Sequence, residues 1–397
     1  MVQAGFHLVG KREMKAGFGV ASCEANRHLL GYDWKTEACD PAQWSKVDAD
    51  VVFGNPPCSG FSVMSAATFR GADSPVNHCM WAFAEYAARV RPQIAVFESV
   101  PSARTRPDGH ELMRKLHARV ESLTGEQWTL HHVRHNAYSL GGAALRPRYF
   151  WLVSRVPFGI EPPSARALPT LRDVIGDLAP LATTWEDQPY RSFPSRWALS
   201  RRSQSGATGA NVGVDSPLVR RVIDLLEAVS WRPGEALSTA AQRCWEQTGT
   251  LPPSWNVQRV VHEKNFQLGY TLPIRWAPDR PARVVDGSAL QRAVHPWLNR
   301  CLTHREAARI MGFPDDWRAA RQLGNNLQFT WGKGITVDCG RWIGSWIRRA
   351  LDGEPGSLLG ERIGEREYDV NVSNAYKKFL VSSTPQRLNH AKEERAA

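Results

Sequence analysis

From residue 1 to about 155, short apolar runs alternate with longer segments of helical period. FHLVG (6–10), DVVFG (50–54), IAVFES (94–99) and RYFWLVS (148–154) are continuous apolar runs of strand length. Runs of that kind are typical of strands buried on both faces, as in a parallel sheet. MWAFAEYAARV (80–90), between the second and third runs, has the period of a helix, so a βαβ crossover is predicted there. After Val156 the texture changes: Pro, Gly, Ser, Arg and Trp rise and strand alternation fades, the mark of a second domain or a large insertion. Helical period returns in LTHREAARIMG (302–312), where Thr303 is the predicted N-cap and Glu306, three residues on, completes a capping box. It returns again in ITVDCGRWIGSWIRRAL (335–351). Beyond about Gly353 the chain is polar and charged without apolar period, so 354–397 is expected to be a weakly packed tail. The predicted class is α/β with a smaller second domain.

Composition narrows the setting. A chain of 397 residues with 42% hydrophobic content can fill real cores without covalent staples. No run approaches the roughly 18 apolar residues of a membrane helix, and the opening MVQAGFHLVGKREM has no signal-peptide pattern. A soluble cytoplasmic protein that meets no membrane, and acts as a monomer, is therefore expected. The seven cysteines are odd in number, scattered, and nowhere spaced as CxxC, so neither a disulfide framework nor a metal site is expected. The formal charge of +11 points to a polyanionic partner. It is concentrated: residues 191–300 hold 14 Arg and one Lys against eight Asp or Glu, with six of the 16 Trp. Arginine suits bidentate contact with phosphate and guanine.

The segment most informative about chemistry is DVVFGNPPCSGFS (50–62). A predicted strand ends in Gly54, Pro56 and Pro57 stiffen the loop, and Cys58 follows at the strand's carboxyl end. In open α/β sheets that edge is where ligands bind, although a lone cysteine is more often a small core residue. Further segments give Cys58 company. They are Glu98, Ser99 and Val100 in AVFESV; Ala144 to Arg148 in ALRPR, running into YFWLV; RCLTHREAARIMGFPDDW at 300–317; and WGKGITVDCGRWIG at 331–344.

In that order, and over almost the whole chain, these segments resemble the motifs of the DNA cytosine-5 methyltransferase family. The resemblance implies a Rossmann-like, S-adenosyl-L-methionine-dependent methyltransferase fold with a smaller target recognition domain. Its implied divisions are a catalytic domain over 1–184 and 286–353, a recognition domain over 185–285, and the tail beyond. PTLRDVIGDLAPL (169–181) is similar to the family's lead into that domain. Double-stranded DNA is the implied partner, in the cytoplasm of a bacterial or phage-infected cell.

By the same resemblance Cys58 is the nucleophile that adds to C6 of cytosine and enriches C5. Glu98 shares a proton with N3. Arg148, and with it Arg146, fixes the cytosine O2, the catalytic loop or a nearby phosphate. Glu13 accepts from the ribose hydroxyls of the donor, Asp40 contacts its adenine amine, and Asn55, Pro56 and Lys333 line its pocket. Ser62 lies on the DNA side of the nucleophile loop. Arg201, Arg202, Arg220, Arg221 and Arg259 are candidates for phosphate or guanine contact. A cytosine inside a duplex is out of reach, so base flipping is implied.

The sequence departs from the family's pattern at several points. The family's Phe-x-Gly-x-Gly turn belongs just before AGF, and the sequence opens at Met1, only three residues before AGF, and so does not include it. A start set too far downstream, or a truncated chain, is the expected explanation. Ser99 replaces an Asn, Ala144 a Gln, and Lys333 the Asn of the closing Gly-Asn. An ammonium at Lys333 suits a donor with an extra carboxylate, such as carboxy-S-adenosyl-L-methionine, whose transfer gives 5-carboxymethylcytosine. A non-catalytic DNA-binding relative is the alternative of a different class. An amino-methyltransferase would use Asn55, Pro56 and Pro57 as the start of Asn-Pro-Pro-aromatic, but Cys58 occupies the aromatic position.

Overall fold

A computed structural model describes residues 4–10, 18–30, 44, 46–62, 67–161, 163, 169–178, 187, 231–235, 237–250, 274–285, 293–298, 300–320, 323, 330–354 and 364–370. By the density of internal contacts the chain divides into two compact units. The first comprises Met1–Pro169, Arg283–Asp286 and Ala308–Asn371, and the second Thr170–Ala282, Gly287–Ala307 and Val372–Ala397.

The first unit is built on a five-stranded sheet of β1 (Val51–Gly54), β2 (Ile94–Ser99), β3 (Thr129–Asn136), β4 (Pro147–Ser154) and β7 (Glu365–Asp369), in the order β1-β2-β4-β3-β7. Its helices are α1 (Phe18–Ala25), α2 (Arg27–Leu30), α3 (His78–Val90), α4 (Ser102–Thr105), α5 (Pro107–Thr124) and α9 (Val337–Leu351). β1 and β2 pair in parallel, with Gly54 opposite Phe97, and α3 forms the predicted crossover between them. The wholly parallel sheet expected from the apolar runs is not what forms, because β4 lies antiparallel between β2 and β3. The connection 137–146 is too short for the dozen or more residues a parallel crossover needs, so the chain turns back on itself.

Alternation along the strands sends the core to two faces. Ala95, Phe97, Tyr149 and Trp151 meet Met80 and Phe83 of α3 and Met113 and Leu116 of α5. The Phe97 ring stacks on Trp151 at 4.9 Å. Ile94, Val96, Phe150 and Leu152 meet Cys339, Ile343 and Ile347 of α9 on the other face. α9 starts where Thr336 Oγ1 accepts from the Cys339 amide at 3.3 Å.

Two further expectations are corrected. FHLVG forms no strand; Phe6 packs against the α9-side core while Val9 is 52% exposed. The 354–397 segment is not simply a tail, since Glu365–Asp369 joins the sheet beside β3. β7 escapes the periodicity reading because only Tyr368 of its five residues is buried. Ion pairs dress the rest: Arg104 with Glu367 at 2.8 Å, Arg114 with Glu365 at 2.7 Å and Arg134 with Asp369 at 2.9 Å.

In the second unit α6 (Leu171–Ile175) opens with a capping box between Thr170 and Asp173, and α7 (Leu237–Thr248) and the short parallel pair β5 (Ile274–Arg275) and β6 (Ala293–Val294) follow. The predicted box at the start of α8 (His304–Ile310) is present: the Thr303 amide donates to Glu306 Oε2 at 2.7 Å, and the Glu306 amide to Thr303 Oγ1 at 3.0 Å. No helix among the described residues is long and apolar enough to cross a membrane.

Candidate active site

The site grows from the carboxyl end of β1. A Cβ on Gly54 would stand 2.4 Å from Cε2 of Phe83, so the strand packs this close to α3 only without a side chain there. The chain then leaves the sheet through exposed Asn55, buried Pro56 and exposed Pro57 into a tight turn, in which the Phe61 amide donates to the Cys58 carbonyl at 3.0 Å. Three groups fix that turn. Ser102 Oγ donates to the Phe61 carbonyl, and the Gly71 amide to Gly60 O at 2.8 Å. Buried Asn77 secures the returning strand of the loop through Nδ2 to the carbonyls of Gly71 and Ala72, at 2.9 and 2.7 Å. Cys58 is half-buried against the α3-side core, and Ser62 is half-buried just beyond it.

Glu98 reaches the same edge along β2. Its partner across the ladder is Phe150, two residues from Arg148, so Glu98 and Arg148 project from one face. The Glu98 carboxylate is 2% exposed and pairs with Arg148 Nε at 2.7 Å. Burial pushes its carboxyl above the ordinary range, against the pull of Arg148, Arg146 and a hydrogen bond from Asn55. Burial also pushes the Cys58 thiol up, and the charge of Glu98 adds to this, while Arg148 and Arg146 act the other way. Nucleophile, carboxyl group and guanidinium therefore feel one another at one sheet edge.

Arg146 has a different setting. It is 1% exposed, donating from Nη1 to Val285 O at 2.9 Å and from Nη2 to the carbonyls of Gly332 and Gly334 at 2.7 Å each. Its guanidinium thus clamps the backbone of the closing Gly-Lys-Gly segment. Asn136 holds Arg146 in turn, accepting from its amide at 3.0 Å. Lys333, between the two clamped glycines, has an exposed side chain, and its carbonyl accepts from Asn55 Nδ2 at 3.4 Å. Asn55 therefore lies between Glu98 and the closing segment.

Ser99, in place of the family's Asn, is fully buried, and its hydroxyl finds no hydrogen-bond partner among the described residues. Ala144 contributes a buried methyl where the family has Gln. Sequence reasoning did not single out Asn77, Ser102, Asn136 or His135. His135 lies opposite Arg148 in the ladder, stacks on Phe150 at 4.4 Å and is held neutral, down to about 3, chiefly by burial. No local pattern marks these residues, because the contacts that bring them to the site reach across the chain, from 5 positions for Asn77 with Ala72 to 41 for Ser102 with Phe61 and 204 for His135 with Cys339. Glu13, Asp40, Arg201, Arg202, Arg220, Arg221 and Arg259 lie outside the described residues.

Known proteins share this organisation. A model of the family described as C-5 cytosine-specific DNA methylase matches residues 24–349. The type II methyltransferase M.XorII of Xanthomonas oryzae pv. oryzae is 25% identical over 365 residues, spanning 85% of this chain and 78% of the relative. The type II methyltransferase M.DdeI of Desulfomicrobium norvegicum is 24% identical over 360 residues, spanning 86% and 80%. Among solved structures, a protein described as a DNA modification methyltransferase encoded within a prophage of E. coli superposes with a TM-score of 0.56. At 17% identity over 88% of this chain and 94% of that one, the likeness is one of fold.

Proposed function

Since this chain belongs to the C-5 cytosine-specific DNA methylase family, we propose that it transfers a methyl group to C5 of a flipped cytosine in duplex DNA through a covalent adduct on Cys58. The observation that carries the proposal is the mutual placement of a half-buried thiol and a buried, Arg-paired carboxyl group at one sheet edge. Burial raises the Glu98 carboxyl, so that with cytosine bound it more readily carries the proton it shares with N3. Protonation at N3 drains charge from the ring as the Cys58 thiolate bonds to C6. The electron pair displaced from the C5–C6 bond is then available at C5. Arg148 keeps Glu98 aimed and screens the charge left after donation. Loss of the C5 proton to water, return of the N3 proton to Glu98 and expulsion of Cys58 as the thiolate restore the ring once the methyl group is in place.

The donor of the family, S-adenosyl-L-methionine, supplies that methyl group. The described residues on its side of the site suit such a group: Asn55 offers an exposed amide, and Pro56 gives a stiff wall at the carboxyl edge of parallel strands. Glu13 and Asp40 are proposed for the ribose and the adenine amine from their places in the motif order. The basic segment 185–285 is proposed to read DNA, with Arg201, Arg202, Arg220, Arg221 and Arg259 facing phosphate or guanine. A second reading, transfer of a carboxymethyl group, rests on Lys333, whose side chain is exposed and whose backbone carbonyl accepts from Asn55.

The test is incubation with duplexes containing 5-fluorocytosine and donor. The wild-type chain should form a denaturant-stable adduct, and Cys58→Ser should form none while still binding DNA. A serine variant that transfers normally removes Cys58 from the chemistry. Nucleoside mass spectrometry with both donors present separates 5-methylcytosine from 5-carboxymethylcytosine, and Lys333→Asn should abolish any carboxymethyl product.

A further inference from the structure

Across the sheet from Glu98, three side chains converge from three elements of the first unit. Glu98 lies on the Phe150 face, whereas His132 of β3 stands opposite Trp151 on the face covered by α5. There, His110 Nε2 of α5 lies 2.6 Å from Glu365 Oε1 of β7, and His132 Nε2 lies 2.8 Å from the same oxygen. One ligating atom from each residue falls within 4.8 Å of the others. His132 is fully buried, while His110 and Glu365 are partly exposed, which leaves the cluster open to solvent on one side.

The surroundings of the cluster are those of a held donor set. Nδ1 of His132 lies 2.5 Å from the buried Tyr149 hydroxyl, so the ring cannot swing and its tautomer is governed by that bond. Arg114 Nε donates to Glu365 Oε2 at 2.7 Å, which fixes the carboxylate and leaves Oε1 facing the two imidazoles. Two imidazoles and one carboxylate with an open fourth position are a donor set of zinc, at bond lengths of about 2.0–2.2 Å.

We propose that His110, His132 and Glu365 form a site for a divalent transition metal of the zinc class, separate from the cytosine site, with water as the fourth ligand. Around a tetrahedral ion with such bonds the ligand atoms stand about 3.3 Å apart. Glu365 Oε1 therefore withdraws from each imidazole by roughly half an ångström, and the His110 ring moves in wherever the two nitrogens stand further apart than that, movements that the partial exposure of His110 and Glu365 permits. The ion's role is to fasten β7. That strand buries a single side chain and otherwise holds to the sheet through its ladder with β3 and through ion pairs, and the metal would tie it to both β3 and α5. The positive charge of Arg114 beside Glu365 opposes the cation, so binding is weaker than in a fully anionic cage.

The test uses the full chain stripped with chelator and titrated calorimetrically with Zn²⁺, with Co²⁺ as an optical probe. The wild type should take up one equivalent, and its Co²⁺ form should show tetrahedral visible bands without thiolate charge transfer. His110→Ala and Glu365→Gln should each abolish that equivalent. Tyr149→Phe should weaken it about 10–100-fold, the effect of removing an outer-shell partner, and Arg114→Gln should tighten it. Absence of saturable binding overturns the site, and so does uptake that survives both His110→Ala and Glu365→Gln or shows thiolate bands. Hydrogen exchange provides a readout independent of affinity: Zn²⁺ should slow exchange of the β7 amides in the wild type and not in His110→Ala.

Discussion

Glu98→Gln should change three measurable quantities in different directions. The amide keeps the volume and reach of the carboxyl group but cannot supply a proton to N3. A positioned general acid contributes about 10²–10⁴-fold, equivalent to roughly 3–5 kcal/mol of barrier, so single-turnover transfer should slow by that factor. Stability should fall far less than the 3–5 kcal/mol typical of a stranded buried charge. The residue left unpaired is Arg148, whose side chain is 14% exposed and so retains contact with water; about 1–2 kcal/mol is expected. The third quantity is Cys58 reactivity in the free protein. Because the charge of Glu98 helps hold the thiol up, its removal lowers the thiol and raises the thiolate fraction at a given pH. Alkylation of Cys58 by iodoacetamide should therefore quicken in Glu98→Gln while transfer slows. Rapid-quench transfer, urea unfolding and peptide-resolved alkylation at one pH read the three quantities. A variant that methylates within threefold of wild type, or whose Cys58 alkylates more slowly, refutes this account of Glu98.

Arg146→Ala should act mainly through structure, because its guanidinium serves three backbone carbonyls. Loss of these charge-assisted bonds should cost about 3–5 kcal/mol by urea unfolding, and a loss below about 1 kcal/mol would show the clamp to be dispensable. Glu306 is held down to about 2 by bonds and charge from Arg300 and His295 that outweigh the cost of burial. Because its folded pKa lies below the unfolded value near 4.5, it stabilises fully above that value. The contribution, about 3 kcal/mol, is lost as pH falls towards 2. Glu306→Gln should remove this part of the acid limb in pH-resolved unfolding, and an unchanged limb would assign the acid sensitivity elsewhere.

The sequence by itself determined the elements whose signal is local. Continuous apolar runs marked β1, β2 and β4 because strands covered on both faces carry little else. Helical period and capping residues marked α3, α8 and α9 because backbone satisfaction at a helix end is settled within four residues. The order of short motifs placed Cys58 and Glu98 together, since each sits on a strand end or the turn after it. Tertiary structure alone decided the rest. β7 was invisible because it buries only Tyr368 and is held by its ladder to β3 and by ion pairs to Arg104, Arg114 and Arg134, partners that leave no period in the chain. The motif marked Arg146 without naming its partners, and only the fold shows its guanidinium donating to the carbonyls of Val285, Gly332 and Gly334. FHLVG carried the pattern of a strand but makes no ladder bonds, because a strand exists only where a neighbour accepts it. The convergence of His110, His132 and Glu365 spans elements 22 and 233 residues apart, so no spacing rule reaches it; only the packing of α5, β3 and β7 brings their ligating atoms to one point.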